Sequence, residues 1–205
     1  MSVKEAYQAE LLARAYTADP AQLRAVDSLE RCATQWAEFK SKRSNALKKL
    51  INHPDIPKGV YLYGGVGRGK SFLMDCFFNA VAIQRKTRLH FHEFMRDVHR
   101  ALDEEKNVED PLDTVARKIA RRYRLICFDE FHVSDIADAM ILGGIFEGLV
   151  DAGVSLVFTS NVPPSGLYRD GLQRSRFLPT IALLERVSEV LELDAGIDYR
   201  LRVLQ

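Results

Sequence analysis

Val60-Tyr61-Leu62-Tyr63-Gly64-Gly65-Val66-Gly67-Arg68-Gly69-Lys70-Ser71-Phe72 passes from a short apolar run through a glycine-rich loop into a stretch of helical periodicity, Ser71 to about Val81. Strand, loop and helix in that order decide the fold. The spacing Gly64-x4-Gly69-Lys70-Ser71 has a physical reason at each position. Glycines let backbone N–H groups converge on phosphate oxygens with no side chain in the way. The lysine neutralises the charge of the outer phosphates, the serine hydroxyl is a magnesium ligand, and the helix dipole favours an anion at its start. Gly64, Gly65, Val66, Gly67, Arg68, Gly69, Lys70, Ser71 and Phe72 are therefore expected to hold ATP or GTP. A dinucleotide fingerprint does not fit, because Gly65-x-Gly67-x-Gly69 is not GxGxxG and the Lys-Ser pair has no role in it.

Working outward, the chain alternates strand and helix signals. Arg88 to Phe91 reads as a strand, Glu93 to Glu104 as a helix, and Leu112 to Arg122 as another helix after the Pro111 start signal. Leu125-Ile126-Cys127-Phe128 is a buried strand. A long helix follows, with Ser134 as N-cap and Gly153 just past its end, and then a strand from Val154 to Phe158. Gly143, Gly144 and Gly148 inside that helix weaken it intrinsically, so close packing against a neighbour is expected there. Ile181 to Arg186 reads as helix and Val187 to Leu193 as strand. Five strands in this alternation predict a parallel five-stranded sheet covered by helices on both faces.

Before the loop, residues 1 to about 52 carry apolar positions such as Leu29, Cys32, Ala33, Trp36 and Phe39 at three- and four-residue spacing and read as two or three helices. His53-Pro54-Asp55-Ile56-Pro57 breaks that pattern, giving an N-terminal helical region over 1–55 and an α/β nucleotide-binding core over 56–205.

Bulk composition narrows the class. The 205 residues are 47% apolar and 28% charged, ordinary globular values, and the formal charge of +1 gives no global field to recruit nucleic acid. Cys32, Cys76 and Cys127 are odd in number, far apart and without CxxC spacing, which argues against a disulfide framework or a zinc knuckle. No stretch approaches the roughly 18 uninterrupted apolar residues of a spanning helix. Met1 to Pro20 lacks an apolar signal-peptide core, and Glu5, Glu10 and Asp19 count against a presequence. A cytoplasmic location is expected.

Three further elements bear on chemistry. Asp129 and Glu130 follow the apolar strand at its exposed end, Asp129 suited to a magnesium shell and Glu130 to accepting a proton from an attacking water. Asn161, after Val154-Ser155-Leu156-Val157-Phe158-Thr159-Ser160, is placed to reach the γ-phosphate or that water, or else to cap the strand before Pro163-Pro164. Arg169, Arg174 and Arg176 follow in a loop from which an arginine supplied to a neighbouring copy would stabilise charge developing on the γ-phosphate. His90 and His92 are read as packing residues on one face of their strand, and Arg117, Lys118, Arg121, Arg122 and Arg124 as a solvated basic helix face. A DNA-binding module of the helicase-loader kind, gated by nucleotide, is the alternative function.

In this order, glycine loop, Asp-Glu strand, polar sensor and trailing arginines resemble the AAA+ P-loop NTPases. More narrowly, Leu89-His90-Phe91-His92-Glu93-Phe94-Met95, Phe128-Asp129-Glu130-Phe131-His132-Val133-Ser134-Asp135-Ile136-Ala137-Asp138-Ala139-Met140 and Gly171-Leu172-Gln173-Arg174-Ser175-Arg176-Phe177-Leu178-Pro179 resemble the ZapE-type bacterial division ATPases and their mitochondrial AFG-type relatives. The resemblance runs from about Gly59 onward. It implies magnesium-dependent ATP hydrolysis coupled to remodelling of a protein partner, with an FtsZ-like division protein as that partner. It further implies self-association of the full-length protein into a ring and a peripheral place at the inner membrane of the division site; nucleic acid is not the partner expected first. Lys70 and Ser71 match the phosphate and magnesium contacts, Asp129 and Glu130 the metal-holding and water-activating carboxylates, Asn161 the first sensor. Arg174 is the better match for the arginine finger and Arg176 the second. The family continues past Asp198-Tyr199-Arg200-Leu201 into a helical lid that is missing before Gln205, so slow turnover is expected of this span alone.

Overall fold

The structure is a computed structural model and describes residues 1–51, 54–105 and 107–193. Ser2 opens α1 (Val3–Ala13) with a capping box, its hydroxyl accepting from the Glu5 amide while the Glu5 carboxylate accepts from the Ser2 amide. Asp19 caps α2 (Pro20–Lys42), and α3 (Ala46–Ile51) follows it. The expected helical region thus holds three helices, and the sheet begins with β1 (Gly59–Tyr63). From there the chain gives α4 (Lys70–Ala80), β2 (Lys86–His90), α5 (Phe91–Glu104), α6 (Pro111–Arg122), β3 (Leu125–Asp129) and α7 (Ile136–Asp151). It closes with β4 (Ser155–Ser160), α8 (Leu178–Val187) and β5 (Ser188–Glu192).

All strand pairs are parallel, and the five strands lie in the order β2-β3-β4-β1-β5. This is the fold expected of AAA+ P-loop NTPases. Side chains alternate across the sheet and serve two cores. Val60, Leu62, Leu125, Cys127 and Val157 face the cluster built by α1, α2 and α4, where Leu29, Trp36, Leu73 and Phe77 are buried. Tyr61, Ile126, Phe128, Leu156 and Phe158 face α5, α6 and α7. On that second side Phe94 and Phe128 meet edge to face with centroids 4.9 Å apart, and Phe91 and Phe131 at 4.7 Å. The N-terminal helices therefore lie directly on the sheet, sharing a core with the strand that carries the glycine loop.

The three glycines of α7 are explained by their neighbours. A Cβ on Gly144 would lie 2.7 Å from the Leu112 side chain, one on Gly148 2.7 Å from Ala116 Cβ, and one on Gly143 2.6 Å from Thr180 Oγ1. Only glycine lets α7 approach α6 and α8 this closely. Gly148→Val is expected to lower unfolding free energy by about 1–3 kcal/mol through overpacking, read as a reduced urea midpoint at unchanged slope.

Three sequence expectations are corrected. The N-cap of α7 is Asp135, one residue after Ser134, because its carboxylate accepts from both the Ala137 and Asp138 amides. β2 ends at His90 and Phe91 begins α5, so His92 belongs to a helix and not to the strand face shared with His90, although the two rings stack at 5.7 Å. The apolar run continues through the boundary because Phe91 is buried as helix residue one, and such a run does not distinguish strand from helix. Arg124 lies past the end of α6, whose basic face is partly neutralised by Arg117 on Asp113 at 2.6 Å and by Lys118 on Glu105. Among the described residues no helix is long and apolar enough to cross a membrane. The reading placed on residues 198–201 lies outside the described residues.

Candidate active site

The loop leaves the C-terminal end of β1 and enters α4 at Gly69. Gly67 and Gly69 take φ values of 79° and 82°, a left-handed conformation that disfavours side chains and turns successive amides toward one point. Lys70 Nζ donates to the carbonyls of Gly64 and Gly65 at 2.6 and 2.7 Å, which holds its ammonium across the mouth of the loop. Burial, reinforced by repulsion from Arg68, lowers the Lys70 pKa from the ordinary lysine value, so this cation gains from an anion placed beside it. Ser71 sits in the first turn of α4 with an exposed side chain.

Asp129 ends β3 and is 9% exposed. Its carboxylate receives Arg88 Nε at 2.6 Å, and Arg88 also binds Asp75 on α4. Glu130 follows with a left-handed φ of 52°, unusual for a residue with a side chain, and its side chain is 79% exposed. The turn is fixed by β4: the Glu130 amide donates to Thr159 Oγ1 at 3.2 Å, the Phe131 amide to the Thr159 carbonyl at 2.8 Å, and Ser160 Oγ to the Phe131 carbonyl at 2.8 Å. His90 Nδ1 lies 3.6 Å from the Glu130 carboxylate. Asn161 is exposed just beyond β4.

These elements converge. A cavity of about 510 Å³ is lined by residues 66–72, Glu130, Thr159, Ser160 and Asn161. That volume falls within the range of small-molecule sites. Leu11, Arg14, Tyr16 and Gln22 complete its wall from the N-terminal helices and the turn between them. Asp129 stands behind the cavity, next to Ser71 through Arg88, whose Nη2 reaches the Ser71 carbonyl at 3.5 Å. Among the described residues no group of three or more His, Cys, Asp or Glu could hold a metal ion. One hydroxyl and one carboxylate, Ser71 and Asp129, are hard oxygen donors that suit magnesium, which keeps much of its coordination for water and phosphate.

The trailing arginines lie elsewhere. Arg174 and Arg176 form a single helical turn and line no part of this cavity. Arg174 donates to the carbonyls of Ser165 at 2.8 Å, Tyr168 at 3.1 Å and Leu167 at 3.3 Å, fastening its own loop. Arg176 is exposed and donates to Gln173 Oε1 at 3.0 Å.

Sequence reasoning missed the residues that brace the loop from a distance. Tyr7 Oη donates to Gln22 Oε1 at 3.0 Å, and Gln22 Nε2 donates to the Arg68 carbonyl at 3.1 Å. Both residues are at most 2% exposed, so the relay is largely buried beneath the cavity wall. Phe72 packs against Tyr7 at 5.7 Å between centroids, and the Arg14 guanidinium lies 5.4 Å from the Phe72 ring centroid. Gln22→Leu strands a buried hydroxyl and a loop carbonyl, a cost of about 1–3 kcal/mol. Its thermal midpoint is expected to fall and its ATP affinity, by calorimetry, to drop several-fold. A drop in midpoint alone would reduce the relay to ordinary core packing.

A model of the AFG1-like ATPase family matches residues 1–205. The chain is 51% identical over 147 residues to the cell division protein ZapE of Escherichia coli K12, a match covering 72% of this chain and 39% of that protein. It is 48% identical over 163 residues to lactation elevated protein 1 homolog B of Danio rerio, covering 74% and 32%. The chain thus spans under half the length of these curated relatives. Among solved structures, DnaI superposes with a TM-score of 0.59 at 16% identity, covering 88% of this chain and 85% of that one. AMPPCP-bound DnaA from Aquifex aeolicus gives 0.61 at 14% identity, covering 92% and 51%. At these identities the likeness concerns the fold.

Proposed function

This chain belongs to the AFG1-like ATPase family, and on that premise we propose that it carries out magnesium-dependent ATP hydrolysis and couples it to remodelling of a protein partner. The observation that supports this most is the convergence of the glycine loop, Glu130 and Asn161 on one cavity. Amides of the loop and the N-terminus of α4 receive the phosphates, and Lys70 exchanges its two loop carbonyls for β- and γ-phosphate oxygens. Ser71 Oγ and the Asp129 carboxylate would hold magnesium, which when bound offsets the charge of the outer phosphates. Glu130 accepts a proton from water as the water oxygen bonds to the γ-phosphorus and the bond to the β-bridging oxygen breaks, leaving ADP and phosphate. Asn161 orients that water. An arginine from a neighbouring copy in a ring, Arg174 first and Arg176 in the same turn second, stabilises the departing charge.

The partner we propose is an FtsZ-like division polymer in the cytoplasm at the division site. Support comes from the 51% identity to a cell division protein. The test is phosphate release with and without EDTA, followed by sedimentation of the FtsZ-like polymer with ATP or ADP. Release that stops with EDTA, and a polymer pellet that shrinks only with ATP, are expected. Release indifferent to EDTA would overturn the hydrolytic part, and a pellet indifferent to ATP the choice of partner.

A further inference from the structure

A second cavity, of about 770 Å³, lies at the opposite end of the strands from the glycine loop. It is bounded by the last turns of α2, by the segment leading into β2 and by Arg124 just before β3. One wall is apolar, made by Trp36, Phe39 and Ile83, and the charged lining is made by Lys40, Arg43, Arg85 and Arg124. No carboxylate occurs among its described lining residues. A smaller adjoining hollow shares Arg85 and Arg124, adds Arg117 and Arg121, and also shows no carboxylate in its lining.

The three guanidiniums are ordered for reasons that leave charge uncompensated. Arg124 Nη1 donates to the Ala152 and Gly153 carbonyls at 3.0 and 3.4 Å, and Arg85 Nη1 to the Arg121 carbonyl at 2.9 Å. Neutral carbonyls fix these groups without cancelling their charge. Arg43 stacks on the Phe39 ring at 5.6 Å, and its Nε is buried with no hydrogen-bond partner. Burial, with repulsion from Arg85 and Arg43, lowers the Arg124 pKa, yet an arginine stays charged, so the repulsion is relieved only by an anion. Guanidinium forks match the oxygens of phosphate better than they match a spherical ion.

We propose that this cavity binds a phosphate-bearing anion, gripped by Arg43, Arg85 and Arg124 and resting against Trp36 and Phe39. Such a group comes either as a soluble phosphate compound or as an anionic lipid headgroup. The second source is raised by α3, directly after the cavity in the chain, which exposes Leu47, Leu50 and Ile51.

Trp36 is the only tryptophan, so its fluorescence reports this cavity directly. Inorganic phosphate, titrated against chloride of matched ionic strength, should give a saturable change with the same midpoint in the wild-type chain and in Lys70→Ala, which weakens the nucleotide loop. The Arg43→Gln/Arg85→Gln double variant should shift the midpoint at least tenfold while still binding ATP, which reports that its fold is intact. A wild-type response that is absent, lost in Lys70→Ala, or unchanged in the folded double variant would overturn the proposal. With phosphate binding established, capture of wild type but not the double variant by phosphatidylglycerol vesicles, and of neither by phosphatidylcholine vesicles, identifies the headgroup as the source. Phosphate binding without vesicle capture identifies a soluble compound.

Discussion

Glu130→Gln is expected to retain ATP while cleaving it about a hundred- to ten-thousandfold more slowly, the range for loss of a positioned proton acceptor. The change keeps shape and volume. The left-handed φ of 52° and the amide bond to Thr159 Oγ1, which together aim this side chain into the cavity, do not involve the carboxylate. What disappears is the capacity to accept a proton. His90 Nδ1, at 3.6 Å, is too distant for a normal hydrogen bond and does not replace that function. Single-turnover phosphate release, with nucleotide binding by calorimetry, checks both halves. Hydrolysis equal to wild type would remove Glu130 from the chemistry.

Lys70→Ala is expected to weaken ATP binding roughly ten- to a hundredfold, corresponding to about 1.5–3 kcal/mol for a hydrogen bond made by a charged group. Two losses combine. The ammonium no longer faces the phosphates, and the carbonyls of Gly64 and Gly65, which Nζ holds at 2.6 and 2.7 Å, lose the donor that shapes the loop. Lys70→Arg should rescue poorly, because a planar fork does not replace a compact ammonium held by two converging carbonyls. Fluorescent-nucleotide titration distinguishes the cases, and an affinity within twofold of wild type would place Lys70 outside the site.

The loop and the strand ending in Asp129 were legible in sequence because their signals are local, apolar runs punctuated by glycines and carboxylates. The glycines of α7 were legible too, since glycine within a helix requires a reason, and Leu112, Ala116 and Thr180 supply it. Asp135 displaced Ser134 as the cap by one residue, an error inherent in two adjacent cap-forming residues. Strand order was not legible, since pairing of β1 with β4 and β5 joins segments nearly a hundred or more residues apart. The same applies to Arg88 on Asp129 and to Gln22 on the Arg68 carbonyl: each acts across 41 and 46 residues respectively, with no spacing rule to reveal it. Arg174 carried a local signal, and the structure engages its guanidinium with three carbonyls of its own loop.

The position of β1 has a consequence for how the protein is made. Val60 registers with Val157 on one side and Gly59 with Ser188 on the other, so the strand bearing the nucleotide loop is flanked by the two described strands that come latest in the sequence. A nascent chain exposing residues 1–150 has the loop but neither neighbour to hold it. Nucleotide thus stabilises this sheet only after β5 has been synthesised, and ATP present during translation acts well after the loop itself has emerged.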